Sequence, residues 1–154
     1  MAKLLVTYGL HENEYEITKP VGEGLIKEKI PSTEIFDLRH KKVKSILNRS
    51  NPSVVADIHA HDGLELQFLT EDRRALDFFE KYIFSNEPQV PGVIASVFNH
   101  KIEWPFIGDN TVSKCCSSMN IPYICVELTK ENKNSDIIRY LSKAFNSLVG
   151  LYGR

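Results

Sequence analysis

The sequence predicts an α/β fold: a mixed, largely parallel sheet with helices on both faces. Two features of the chain point to it. Short β-branched apolar runs alternate with segments of helical periodicity. The 154 residues, 42% hydrophobic and 25% charged, also have the composition of an ordinary globular domain. At this length folding buries roughly 70% of the surface the unfolded chain exposes, so the core needs no metal or disulfide. A metal, if the chain takes one, serves chemistry.

Residues 3–8 are a leucine-rich and β-branched run stopped by Gly9, which reads as a buried strand. Residues 24–30 alternate apolar with polar, as a half-exposed strand does. Residues 38–47 place Leu38, Val43, Ile46 and Leu47 at helical spacing. Asn51-Pro52 then opens a second buried strand over 53–58, and 64–69 alternates as a half-exposed strand. Residues 71–84 predict a helix with Leu76, Phe79 and Ile83 on one face and an acidic first turn. Residues 92–98 and 122–128 are further buried strands, with a helix over 109–119 between them. A last helix over 135–151, capped by Ser135, carries Ile137, Ile138, Leu141, Phe145 and Leu148. No repeat or linker divides the chain, so 1–154 is read as one domain.

Nineteen basic and twenty acidic side chains leave a formal charge of −1, which gives a polyanion no field to follow. The run Arg39-His40-Lys41-Lys42-Val43-Lys44, with Arg49 after it, reads as a solvated helix face, and nucleic acid is not the expected partner. No apolar run approaches the roughly 20 residues that cross a bilayer, and the first residues lack a signal peptide's apolar stretch. No membrane association and a cytoplasmic location are the expectation. Cys115, Cys116 and Cys125 are odd in number and form no C-x-x-C pair, so neither a disulfide framework nor a cysteine zinc cage is indicated. They read as buried structural thiols, with a cysteine nucleophile as the weaker option. Phe78-Phe79 and Trp104-Pro105-Phe106 read as core or pocket wall.

In open α/β sheets ligands bind beyond the carboxyl ends of the strands, which selects three places. After the first strand, Gly9-Leu10-His11-Glu12-Asn13-Glu14 sets an imidazole and a carboxylate three residues apart in a tight loop, a pair that suits zinc. His100 and Glu103 share that spacing but lie in a strand-like stretch that turns them to opposite faces, so they are read as surface. After the second buried strand comes Asp57-Ile58-His59-Ala60-His61-Asp62-Gly63. Either His59 or His61 completes a His/Glu/His set, and Asp57 is placed to accept an N–H from a ligating imidazole. A hydrogen-bonded turn closed by Asp62-Gly63 is the plain structural alternative. In the last strand Glu127 puts one charge inside an apolar run, which is costly unless paired or metal-facing. Beside a metal-bound water it is the natural general base.

Together these residues resemble the zinc carboxypeptidase superfamily, and within it the succinylglutamate desuccinylase/aspartoacylase branch. Gly9 to Glu14 is similar to that family's G-x-H-G-N-E segment, Asp57-Ile58-His59 to its D-L-H segment, and Thr111-Val112-Ser113 through Ile121-Pro122 to Glu127 to its helix, G-I-P turn and catalytic strand. The resemblance implies a zinc carboxypeptidase-like fold, with Zn2+ on His11, Glu14 and His59 and with Glu127 as catalytic base. It implies hydrolysis of an amide bond in a small N-acyl amino acid or peptide-like substrate. Glu12 stands where the family has glycine. Glu34 to His40 resembles its D-x-N-R segment, but Arg39 sits one position early and His40 takes the arginine's place. Arg39 is the candidate to grip a substrate carboxylate, with Arg49, Arg73 and Arg74 as rivals. The alternative is a non-catalytic metal-binding or interaction protein that keeps the fold.

Overall fold

In the computed structural model of the chain, which describes residues 3–39, 41–85, 90–99 and 111–152, the apolar runs become the centre of one sheet. Its strands are β1 (Leu4–Tyr8), β2 (Thr33–Asp37), β3 (Val54–Ala60), β4 (Leu66–Thr70), β5 (Ala95–Asn99) and β6 (Tyr123–Leu128). They lie in the order β2-β1-β3-β6-β4-β5. Every neighbouring pair is parallel except β4 with β6, which run antiparallel. β1, β3 and β6 are central and buried on both faces, which is why they read as nearly unbroken apolar runs.

Helices cover both faces: α1 (Tyr15–Lys27), α2 (Val43–Ser50), α3 (Arg73–Ile83), α4 (Thr111–Ser118) and α5 (Asn134–Leu151). Leu4, Val6, Ile58, Ile124 and Val126 pack with Leu25 of α1, Phe79 of α3 and Phe145 of α5. On the opposite face Leu5, Val55, Leu69 and Cys125 pack with Ile46 and Leu47 of α2 and with Val112 and Cys116 of α4. The mixed α/β architecture predicted from the sequence is therefore the one observed.

Four local expectations are corrected. The strand expected over 92–98 is not buried: it is β5, Ala95–Asn99, half-buried at the outer edge of the sheet. Residues 24–30 are not a strand, because α1 runs through Lys27. Pro20, Gly22 and Gly24 lie inside that helix and weaken its sequence signal. The glycines serve close approach: a Cβ on Gly22 would sit 2.4 Å from the Tyr8 ring, and one on Gly24 would sit 2.2 Å from Ile138 Cδ1. The helix expected over 38–47 starts only at Val43, since Leu38 still donates its N–H to the Tyr8 carbonyl at 2.7 Å as a continuation of β2. Ser135 does not cap α5; that position is held by Lys133, with no side-chain cap bond. His40, His100, Glu103 and Trp104-Pro105-Phe106 lie outside the described residues.

This topology positions the site. β1, β2, β3 and β6 point the same way, so their carboxyl ends share one edge of the sheet. The amino ends of β4 and β5 join that edge because β4 runs against β6.

Candidate metal centre

β1 ends in a turn that only glycine can make. Gly9 has φ +84°, and a Cβ there would come within 2.7 Å of Asp37 Oδ1 and 3.0 Å of the Tyr15 ring. His11 follows in extended conformation and precedes a single 3-10 turn, Glu12–Glu14, which leads directly into α1. Glu14 closes that turn by donating its N–H to the His11 carbonyl at 3.1 Å, so the local backbone fixes the spacing of the two side chains.

His59 reaches the same point from β3. Ligand atoms of His11, Glu14 and His59 all lie within 4.8 Å of one another. Glu14 Oε2 is 3.2 Å from His59 Nδ1, and Glu14 Oε1 accepts the Ala60 N–H at 3.3 Å. The far nitrogen of the imidazole, Nε2, is 2.6 Å from Asp57 Oδ2. Asp57 is fully buried and is itself held by the hydroxyls of Thr7 at 2.7 Å and Tyr123 at 3.1 Å. The register makes this possible, since Thr7, Asp57 and Cys125 are direct partners on β1, β3 and β6.

The donor set suits a divalent ion. Nitrogen and oxygen donors about 2.0–2.2 Å from one tetrahedral zinc stand roughly 3.3–3.6 Å apart, close to the 3.2 Å between Glu14 and His59. The exposed His11 ring stands beside that of His59, their centres 5.0 Å apart. Asp57 holds Nε2, which leaves Nδ1 as the ligating atom and fixes the ring's orientation.

The electrostatics agree. Burial alone would pull the His59 pKa down, but Asp57, then Glu14 and Glu127, hold it well above 6.5. Burial pushes the Glu14 carboxyl up, yet the His59 hydrogen bond and charge, with the Ala60 N–H and His11, bring it below its ordinary value. The site is therefore rich in negative charge and, without an ion, keeps a proton on His59.

Glu127 is the direct register partner of His59 and so projects from the same face of the sheet. Burial raises its pKa, Glu14 adds to the rise, and His59 and the Cys125 thiol, 3.4 Å from Oε1, oppose it. A carboxylate of raised pKa is a better proton acceptor than an exposed one.

The other candidates fall outside the cluster. His61 is committed at both ring nitrogens, with Nδ1 accepting the Gly63 N–H at 3.0 Å and Nε2 2.7 Å from the Glu65 carbonyl. That is the turn that competed with ligation in the sequence. Arg39 is not on a helix face; it follows β2, with its guanidinium 4.3 Å from the ring centre of Tyr15, the residue after Glu14. Tyr15 in turn bonds Asp37 through its hydroxyl. Cys116 and Cys125 are buried, with Cys116 pushed up to about 12 and Cys125 well above 9, which disfavours either as a nucleophile. Thr7 and Tyr123, which hold Asp57, escaped sequence reading because their role depends on strand pairing.

No family model matches the sequence, and no curated protein matches it. Solved structures do. The Helicobacter pylori cell shape determinant Csd4, a D,L-carboxypeptidase in its mDAP-bound form, superposes at TM-score 0.67 with 13% identity over 99% of this chain. The alignment covers 51% of Csd4, so the chain spans about half the length of that protein. The catalytic domain of CwlV, an N-acetylmuramoyl-L-alanine amidase from Bacillus (Paenibacillus) polymyxa, matches at TM-score 0.54, with 12% identity and 97% of both chains covered. AmiC2 of Nostoc punctiforme, also an N-acetylmuramoyl-L-alanine amidase, gives 0.57 and 15%, covering 97% of this chain and 96% of its own.

The fold is shared with these enzymes. Structures similar to this chain include Csd4 and the amidases, which overturns the resemblance to the succinylglutamate desuccinylase/aspartoacylase branch. The short segments behind that resemblance reflect a general requirement, namely ligands at neighbouring strand ends, and do not separate one branch from another. Of the segment compared with the D-x-N-R stretch, moreover, Glu34 to Asp37 belong to edge strand β2.

Proposed function

We propose that this chain is a metal-dependent hydrolase that cleaves an amide bond in a peptide-like substrate. The observation that carries the reading is the convergence of His11, Glu14 and His59, with Glu127 in register beside His59. Likeness in fold to a D,L-carboxypeptidase and to N-acetylmuramoyl-L-alanine amidases supports it.

His11, Glu14 and His59 would hold the ion, with zinc the best match to two imidazoles and a carboxylate. When bound, it supplies Lewis-acid polarisation of the scissile carbonyl and lowers the pKa of water. Asp57 keeps Nε2 of His59 protonated and its Nδ1 turned toward the site. Glu127 accepts the proton from the attacking water and returns it to the amine as it leaves. Arg39, held over Tyr15, the residue after Glu14, would bind a substrate carboxylate on the β2 side.

The test is hydrolysis by the zinc-loaded chain of short N-acylated peptides and of N-acetylmuramoyl dipeptide, alongside Glu127→Gln. The expected outcome is turnover that drops by about 10² to 10⁴-fold in Glu127→Gln with zinc content unchanged. Zinc uptake with no hydrolysis of either substrate would leave a metal-binding protein and end the enzymatic reading.

A further inference from the structure

Four polar side chains cross the sheet at one level. The register pairs His59 with Glu127, Glu127 with Gln67, and Gln67 with Ser96, on β3, β6, β4 and β5 in turn. Directly paired residues project to the same face, so the four form one row. The adjacent row on that face is Asp57, Cys125, Leu69 and Phe98, apolar at its β4 and β5 positions. Gln67 and Ser96 are thus polar where the neighbouring positions on their own strands are core.

Neither has a protein partner that accounts for it. Among the described residues the Gln67 amide makes no hydrogen bond, and the Ser96 hydroxyl is buried without a partner. Glu127 faces Gln67 across the antiparallel pair, at a Cβ separation of about 4.5–5.5 Å that side chains of this length can bridge. Glu127 Oε1 instead takes the Cys125 thiol. A buried hydroxyl left unpaired is costly, and the half-exposed Gln67 amide on the same face is open to a ligand.

The row's length and chemistry say which ligand. Strands are about 4.8 Å apart, so Gln67 and Ser96 extend the site by about 10 Å beyond Glu127, on the side away from His59. That is the span of about three extended peptide residues. A glutamine amide offers one acceptor oxygen and an NH2 donor, the complement of the N–H and C=O of a peptide group. We propose that Gln67, with Ser96 beyond it, is a positioning residue that hydrogen-bonds the backbone of an extended peptide laid across the strands past Glu127. This rests on the hydrolase reading above and narrows it, favouring an oligopeptide over a single N-acyl amino acid.

The experiment uses the full zinc-loaded chain with N-acetyltrialanine and N-acetylalanine as probes. Gln67→Leu should raise KM for N-acetyltrialanine about tenfold while kcat stays within about twofold and zinc content and Tm are unchanged. KM for N-acetylalanine, too short to span the row, should not move. Ser96→Ala, which removes no bond made within the described protein, should raise KM for the longer probe about threefold. Turnover by wild type with KM for N-acetyltrialanine unchanged in both variants would overturn the peptide row and leave the hydrolase reading standing. A second arm measures N-acetyltrialanine binding to Glu127→Gln by calorimetry. Binding that weakens about tenfold on adding Gln67→Leu, in a protein whose wild type shows no turnover, would keep the row and remove the hydrolase reading. No binding and no turnover would remove both.

Discussion

His59 carries a carboxylate at each ring nitrogen, and this ties its charge to the state of the site. Without an ion its pKa lies well above 6.5, so the folded chain keeps a proton that the unfolded chain releases near that value. The stability this proton contributes is complete below pH 6.5 and is lost as pH rises through the higher folded value. The chelated wild-type protein should therefore lose Tm more steeply than chelated His59→Gln as pH rises above about 6.5; parallel slopes would contradict the pairing. An ion at Nδ1 must displace the same proton, which reverses the sign, and metal affinity strengthens with pH across that window. The thiols give a second readout. Burial holds Cys116 and Cys125 protonated at neutral pH, while Cys115 is half-buried. Alkylation of the folded chain should label Cys115 first, with hydrolysis unaffected. At this scale the sequence marks His11, Glu14, Asp57, His59 and Glu127 as candidates, because His11 and Glu14 follow β1, His59 and Glu127 lie one residue from the ends of β3 and β6, and Asp57 is a charge inside an apolar strand. Thr7, Tyr123, Gln67 and Ser96 stayed hidden, since only the register shows what they face.

α1 shows the opposite balance between local signal and packing. Pro20, Gly22 and Gly24 make it a poor helix by propensity, and its alternation over 24–30 imitates a strand. Packing against Tyr8 and Ile138 overrides both. The two glycines should answer alanine differently. At Gly22 the new methyl meets the rigid Tyr8 ring at 2.4 Å, so Gly22→Ala should destabilise by about 1–3 kcal/mol despite the better helix propensity. At Gly24 it meets the mobile end of Ile138 at 2.2 Å, which rotates away, so Gly24→Ala should cost less. Denaturant midpoints of both variants measure this, and equal losses would contradict the packing account. β2 was missed for a related reason: it is an edge strand, half-buried throughout, and its Thr-Glu-Ile-Phe-Asp has no strong period.

At the scale of the whole molecule, the sheet order gathers the site from segments far apart in sequence. The loop after β1, the end of β3 and the end of β6 meet because β3 lies between β1 and β6 and runs parallel to both. The alternation of strands and helices revealed the class of fold but not this order, which depends on long-range pairing. An ion that bridges the loop after β1 to β3 binds the folded state alone. Free zinc at about 100 times its Kd should add about 2.7 kcal/mol, a rise in Tm of about 5–10 °C for a chain of this size. Equilibrium zinc binding to wild type and to His11→Ala, Glu14→Ala and His59→Ala tests most directly whether these three side chains share one ion. One ion per chain is expected in wild type, with affinity at least about 100-fold weaker in each variant. Undiminished affinity in His59→Ala, or no binding by wild type, would contradict it.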